Sequence, residues 1–254
     1  MANPPKILFV HGAAADARVW TPIIAALPAE WQTEAITLSY FGEAEWPDDG
    51  SRFGPRLHAM EVAALADAMG GDVHLVCWSY AVHVGLQALL DAPARFASAL
   101  FYEAGLAQYV SDPDDRATYG KDAHSMYGAV GAVMQKEGPE AAVRQLVGRS
   151  FATLAQDRQA MYLSNAPMLS LLMGGGEPPT EIGPDKLATI KTRCCVAMGA
   201  NTRPAFSIPS KALAQHLPNA TLDIVAGADH FMPETNPALF AAIVEDWIGG
   251  GAFG

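Results

Sequence analysis

The chain has 254 residues, half of them hydrophobic, with 16 basic against 27 acidic side chains and a formal net charge of −11. That length fits one α/β domain with an insertion, and the acidity sets the chain against nucleic acid and anionic membrane surfaces, which would repel it. Its three cysteines, two of them adjacent, make neither a disulfide framework nor metal-ligand spacing, so no metal is expected and the reduced cytoplasm is the simplest home.

Met1 to Lys6 is too short and polar for a signal peptide, and no apolar run in the chain approaches membrane-spanning length. Ile7–Val10 is a short apolar run of the kind a fully buried parallel strand needs. It leads into His11-Gly12-Ala13-Ala14-Ala15, where small residues follow the strand. A helical pattern over 21–27, a strand over 35–39 and a helix over 56–69 come next. The strand Val73–Cys77 then runs into Cys77-Trp78-Ser79-Tyr80-Ala81, and a helix over 82–91 follows at once. So abrupt a passage from strand to helix forces strained angles on Ser79 and excludes bulky neighbours two residues either side. It lifts the Ser79 hydroxyl clear of the sheet and leaves the Tyr80 N–H facing whatever approaches it. Cys77 and Ala81 stand where the pattern G-x-S-x-G has glycines, so the small-x-Ser-x-small logic survives without the strict motif.

The next strand, Ala99–Tyr102, ends in Glu103-Ala104-Gly105, and a glutamate at the end of a buried strand is costly unless it is paired. A long stretch without strands separates Gly105 from Lys191, with helical patterns at 113–137, 139–148 and 151–164 and then Met168 to Met173. Its apolar residues, among them Tyr109, Met126, Tyr127 and Met161, mostly pack the segment onto the core, and a minority are expected to line a pocket. Gly174-Gly175-Gly176 lacks the Lys and Ser/Thr of a phosphate loop and reads as a flexible linker. A strand at Cys194–Met198 leads to Ala200-Asn201-Thr202-Arg203-Pro204, a loop with no carboxylate. After a helix over 208–216, the strand Leu222–Ala226 ends in Gly227-Ala228-Asp229-His230-Phe231, and a last helix spans 237–248 before a glycine tail at 249–251. Of the other histidines, His58, His124 and His216 fall in helices or at their ends and are expected to be wet; His74 lies in a strand and His83 on the helix after Ser79. Strands alternating with helices imply an α/β fold, a parallel sheet of about six strands flanked by helices on both faces.

This layout resembles the α/β-hydrolase superfamily, in its serine hydrolase branch. The resemblance rests on the serine elbow at Ser79, the His-Gly loop after the first strand, and His230 after the last. It implies a core of residues 1–104 and 186–254 with a helical cap over 105–185. Ser79 is then the nucleophile, His230 the general base, and the N–H groups of Ala13 and Tyr80 the oxyanion donors; His11 shapes their loop. The commonest members keep their acid where Thr202 stands. A subset, including zearalenone-type lactone hydrolases and some haloalkane dehalogenases, keeps a glutamate one strand earlier, which makes Glu103 the acid and Thr202 dispensable. Asp229 is a poorer candidate, because side chains adjacent in sequence diverge. The implied activity is cleavage of a carboxylic ester or lactone of a small, largely apolar substrate through an acyl-enzyme, with no cofactor, no nucleic acid and no membrane. A serine at the elbow argues against dehalogenase and epoxide hydrolase chemistry, and Phe231 stands where plant-type hydroxynitrile lyases carry lysine. A carbon–carbon bond hydrolase and a non-enzymatic small-ligand receptor fit the same residues. Oligomeric state is left open.

Overall fold

The computed structural model describes residues 4–250. Its sheet is parallel throughout and contains β1 (Lys6–Val10), β2 (Gln32–Ile36), β3 (Val73–Trp78), β4 (Phe96–Tyr102), β5 (Arg193–Gly199) and β6 (Ala220–Val225), in the order β2-β1-β3-β4-β5-β6. Residues Ile7–Val10, Ala99–Tyr102 and Cys194–Ala197 are buried without interruption, which requires helices on both faces. The strand order reverses between β1 and β3. The crevice at the carboxyl ends of two such strands is where open α/β sheets bind ligands. Here it brings together the loop after Val10 and the turn at Ser79, since Val10 pairs with Cys77.

The core helices are α1 (Thr21–Ile24), α2 (Pro55–Ala68) and α3 (Tyr80–Asp91). The insertion supplies α4 (Pro113–Glu137), α5 (Pro139–Val147) and α6 (Gln156–Ser164), and the chain continues with α7 (Pro184–Leu187), α8 (Pro204–His216), α9 (Met232–Thr235) and α10 (Pro237–Gly249). Local chemistry sets the boundaries of α4. The Asp112 carboxylate accepts from the N–H groups of Asp114 and Asp115, Pro113 opens the helix, and Gly138, at φ +89°, ends it before Pro139 starts α5. Two ion pairs fasten the insertion to the core. Arg203 grips Asp122 of α4 with Nε at 2.8 Å and Nη2 at 2.7 Å, and Arg158 of α6 reaches Glu234 of α9 at 2.6 Å. The Asn165 amide adds a buried bond of 2.8 Å to Asp16.

Four expectations are corrected. β2 begins and ends three residues before the expected span of 35–39. It is an edge strand, half exposed, so its sequence need not be apolar, and the apolar residues Leu38 and Phe41 lie in the loop beyond it, buried in the core. Helix α8 begins at Pro204 and not at 208, and carries Pro209 inside it. Gly174–Gly176 is no loose linker. It closes a π-helical turn (Leu171–Gly175) and docks on Phe53, whose carbonyl accepts from Glu177 N–H at 2.6 Å. His58 is fully buried rather than wet. Among the described residues no helix is long and apolar enough to cross a membrane.

Candidate active site

Ser79 sits between β3 and α3 at φ +58° and ψ −114°, a conformation that costs a non-glycine residue on the order of 1–3 kcal/mol. The surroundings hold it there. Its N–H donates to the Tyr102 carbonyl at 2.9 Å, and its own carbonyl accepts from Val82 N–H at 3.0 Å. Close approach on both sides depends on missing side chains. A Cβ at Gly85 of α3 would lie 2.6 Å from the Cys77 sulfur, and one at Gly12 would lie 3.2 Å from the Ser79 Cβ. The helix thus presses directly on the strand beneath the turn, and the loop after β1 passes directly over it.

That loop is shaped by His11, as expected. Leu38 N–H donates to its Nε2 at 3.1 Å, so Nδ1 carries the proton and donates to the Gly12 carbonyl at 2.9 Å. Burial pushes the ring's pKa down to about 4, so His11 is a neutral spacer at working pH. Ala13 follows on the cavity wall beside Ser79. Tyr80 is the first residue of α3, and a first-turn N–H has no acceptor within its helix. Its phenol is anchored by a residue whose contribution the sequence did not reveal. The Tyr80 hydroxyl donates to His58 Nδ1 at 2.7 Å, while His58 Nε2 donates to the Ser39 carbonyl at 3.1 Å. Burial holds His58 near 4 as well.

Glu103 follows β4 directly, is fully buried, and takes φ +57°. Its carboxylate accepts three hydrogen bonds. Gly199 N–H donates to Oε1 at 2.8 Å; the Thr202 hydroxyl and His230 Nδ1 both donate to Oε2 at 2.7 Å. A buried carboxylate costs several kcal/mol unless it is paired and hydrogen-bonded, and this set meets that requirement. Because an ionised carboxylate can only accept, the bond fixes the proton of neutral His230 on Nδ1 and leaves a lone pair on Nε2. Asp229 is turned away from the ring; its Oδ1 caps Phe231 N–H at 2.9 Å.

The loop carrying His230 is pinned from several sides. Trp78 Nε1 donates to the His230 carbonyl at 3.0 Å, and the Tyr102 hydroxyl donates to the Asp229 carbonyl at 2.6 Å. Phe206 of α8 stacks on the imidazole at a centroid distance of 3.7 Å and an interplanar angle of 6°. A side chain at Gly199 would collide with the Ala228 carbonyl, so the end of β5 can approach this loop only as glycine. Trp78, Tyr102, Thr202 and Phe206 were all missed as supports, because nothing local in the sequence links them to position 230.

Ser79 and His230 line one cavity of about 500 Å³, with Gly12, Ala13 and Thr202 also in its wall. A second cavity of about 650 Å³ shares Ala13 and Ser79 and extends toward Tyr80, Tyr109 and Tyr119. Among the described residues no hydrogen bond joins the Ser79 hydroxyl to the His230 ring. Such contacts commonly tighten only when substrate is bound. The arrangement can present a hydroxyl, an imidazole backed by a carboxylate, and backbone N–H groups to one small molecule.

The sequence profile of the alpha/beta hydrolase family matches residues 7–243. No curated protein matches the chain. Among solved structures, a thermophilic esterase from Thermogutta terrifontis superposes with a TM-score of 0.75 at 18% identity, over 98% of this chain and 91% of that one. A carboxylesterase from Bacillus subtilis gives 0.72 at 19%, over 99% and 86%. Est816, described as an N-acyl homoserine lactone degrading enzyme, gives 0.68 at 18%, over 96% and 93%. At these identities the structural matches speak for the fold alone, while the profile spans nearly the whole sequence: the chain belongs to the alpha/beta hydrolase family.

Proposed function

We propose that this hydrolase cleaves a carboxylic ester or lactone through an acyl-enzyme on Ser79. The observation that carries the reading is the buried Glu103 carboxylate 2.7 Å from His230 Nδ1, with both Ser79 and His230 on one cavity wall. A serine hydroxyl is a weak nucleophile until a base takes its proton during attack. His230 Nε2 performs that transfer, and Glu103 offsets the charge that develops on the imidazole. The N–H groups of Ala13 and Tyr80 receive the oxyanion; a donor in that position contributes about 3 kcal/mol to the transition state. His230 then gives the proton to the leaving oxygen, and water repeats the sequence on the acyl-enzyme. The cap over 105–185 closes the cavity above the serine. Two of the similar structures are esterases and one degrades a lactone, and both chemistries are this acyl transfer.

Hydrolysis of a short p-nitrophenyl ester tests the assignment. Ser79→Ala is expected to reduce turnover to the uncatalysed background, and full turnover in that variant refutes it. Glu103→Gln is expected to lower kcat by about 10³–10⁴-fold while the fold persists.

A further inference from the structure

The two cavities meet at Ser79 and have different walls. Ala13, Ser79, Tyr127 and Leu172 belong to both. The lobe of about 500 Å³ contains His230; Ser125, Gln145, Asn201 and Arg203 line it together with apolar residues such as Leu146 and Phe231. The Arg203 guanidinium is already matched by the Asp122 carboxylate, so the polar part of this lining carries no unbalanced positive charge for an anion. The lobe of about 650 Å³ does not include His230; its mainly apolar wall includes Tyr80, Leu106, Leu171 and Met173, with His83 and Glu177 among its polar members.

The base tells the two halves of an ester apart. As the Ser79 Oγ–carbonyl bond forms, the hydroxyl proton passes to His230 Nε2. As the carbonyl–oxygen bond to the alcohol breaks, that proton leaves His230 for the departing oxygen. The leaving oxygen must therefore lie on the His230 side, and the acyl chain, attached to the same carbon, must lead away from it. We infer, resting on the serine hydrolase reading, that the His230 lobe receives the alcohol half and the Leu106–Met173 lobe the acyl half. The substrate class is then an ester joining a sizeable apolar or aromatic acyl group to an uncharged, hydroxylated alcohol. Tyr127 of α4 is the aromatic side chain shared by both walls. It therefore borders both halves of such a substrate.

Two ester series test this. One varies the acyl group on p-nitrophenol (acetyl, octanoyl, benzoyl); the other varies the alcohol of a butyrate (glycerol, ethanol, octanol). The wild type is expected to favour octanoyl over acetyl, and glycerol over octanol, each by about tenfold or more in kcat/KM. Leu106→Trp, which fills the acyl lobe, is expected to lower the octanoyl-to-acetyl ratio about tenfold and leave the glycerol-to-octanol ratio in place. Ala129→Trp, at the wall of the His230 lobe, is expected to move the alcohol ratio and leave the acyl ratio in place. Active-site titration with a small fluorophosphonate counts folded, competent serines in every variant, so all ratios refer to folded enzyme. Crossed responses, or two variants that move the same ratio or neither, overturn the lobe assignment while labelling upholds the hydrolase reading. Failure of the wild type to label or to turn over any ester overturns that reading and the lobe assignment with it.

Discussion

A carboxylate sealed from water needs donors, and Glu103 has them from the β5 terminus, the loop after it and the His230 ring. Thr202 was read as the vacated site of an acid and therefore as dispensable. Its hydroxyl instead donates to the Glu103 carboxylate, which stands one strand earlier, so the two side chains form one hydrogen-bonded unit. Thr202→Ala is expected to destabilise the protein by about 1–3 kcal/mol, as befits a lost bond to a buried charge, and to lower kcat far less than Glu103→Gln does. Denaturant unfolding together with ester turnover checks both parts; unchanged stability would mean that the hydroxyl does not support Glu103. Ser79 and Glu103 stand out in the sequence because each directly follows a buried strand, and His230 because it lies in the loop after the last strand, a half-exposed edge strand. Thr202, Trp78 and Phe206 do not, because their roles come from contacts across strands and loops that no local spacing encodes.

At the level of elements, the site is built from places where a glycine lets one segment close in on another. Gly12 admits the β1 loop over Ser79, Gly85 seats α3 on Cys77, and Gly199 lets β5 meet the His230 loop. Gly199→Ala pushes a methyl group into the Ala228 carbonyl and disturbs the N–H that Glu103 accepts. It is expected to cost about 1–3 kcal/mol, a drop in Tm of roughly 2–12 °C for a domain of this size, and to lower kcat in the same variant. Calorimetry with turnover tests this; a variant as stable and active as the parent would show that the close approach is not required. The same scale explains which boundaries could be read. Asp112-Pro113 and Gly138-Pro139 punctuate α4 with side-chain chemistry, so its span is predicted correctly. β2 has a half-exposed edge and no such punctuation, and its apolar neighbours mislead.

At the scale of the molecule, several histidines make stability depend on pH. Burial lowers His11, His58 and His83 from 6.5 to about 4 in the folded protein. His83 bonds to Tyr109 at 2.6 Å and to Thr180 at 3.1 Å. Between pH 6.5 and 4 the unfolded chain binds protons at these positions that the folded chain refuses. Stability therefore falls as pH drops through that window, with no further loss from these groups below about 4. Each ring contributes on the order of 3 kcal/mol across the window. Tm is expected to decline steadily from pH 7 to pH 4.5, and His58→Gln to flatten the decline; a flat profile for the parent would contradict the burial of neutral rings. The sheet, its parallel sense and the inserted helices were legible from strand–helix alternation. The division of the cavity into two lobes was not, because it depends on how α4 and residues 171–176 settle over the sheet.

The proposed function requires Ser79 to be a nucleophile driven by the His230–Glu103 pair. The most direct measurement is the rate and site of fluorophosphonate attachment, read by peptide mass spectrometry in the parent, His230→Ala and Glu103→Gln proteins. One adduct is expected, on the peptide that contains Ser79, formed quickly in the parent and slowed by orders of magnitude in both variants. An adduct on another residue, or equal rates in all three proteins, would contradict the proposed function.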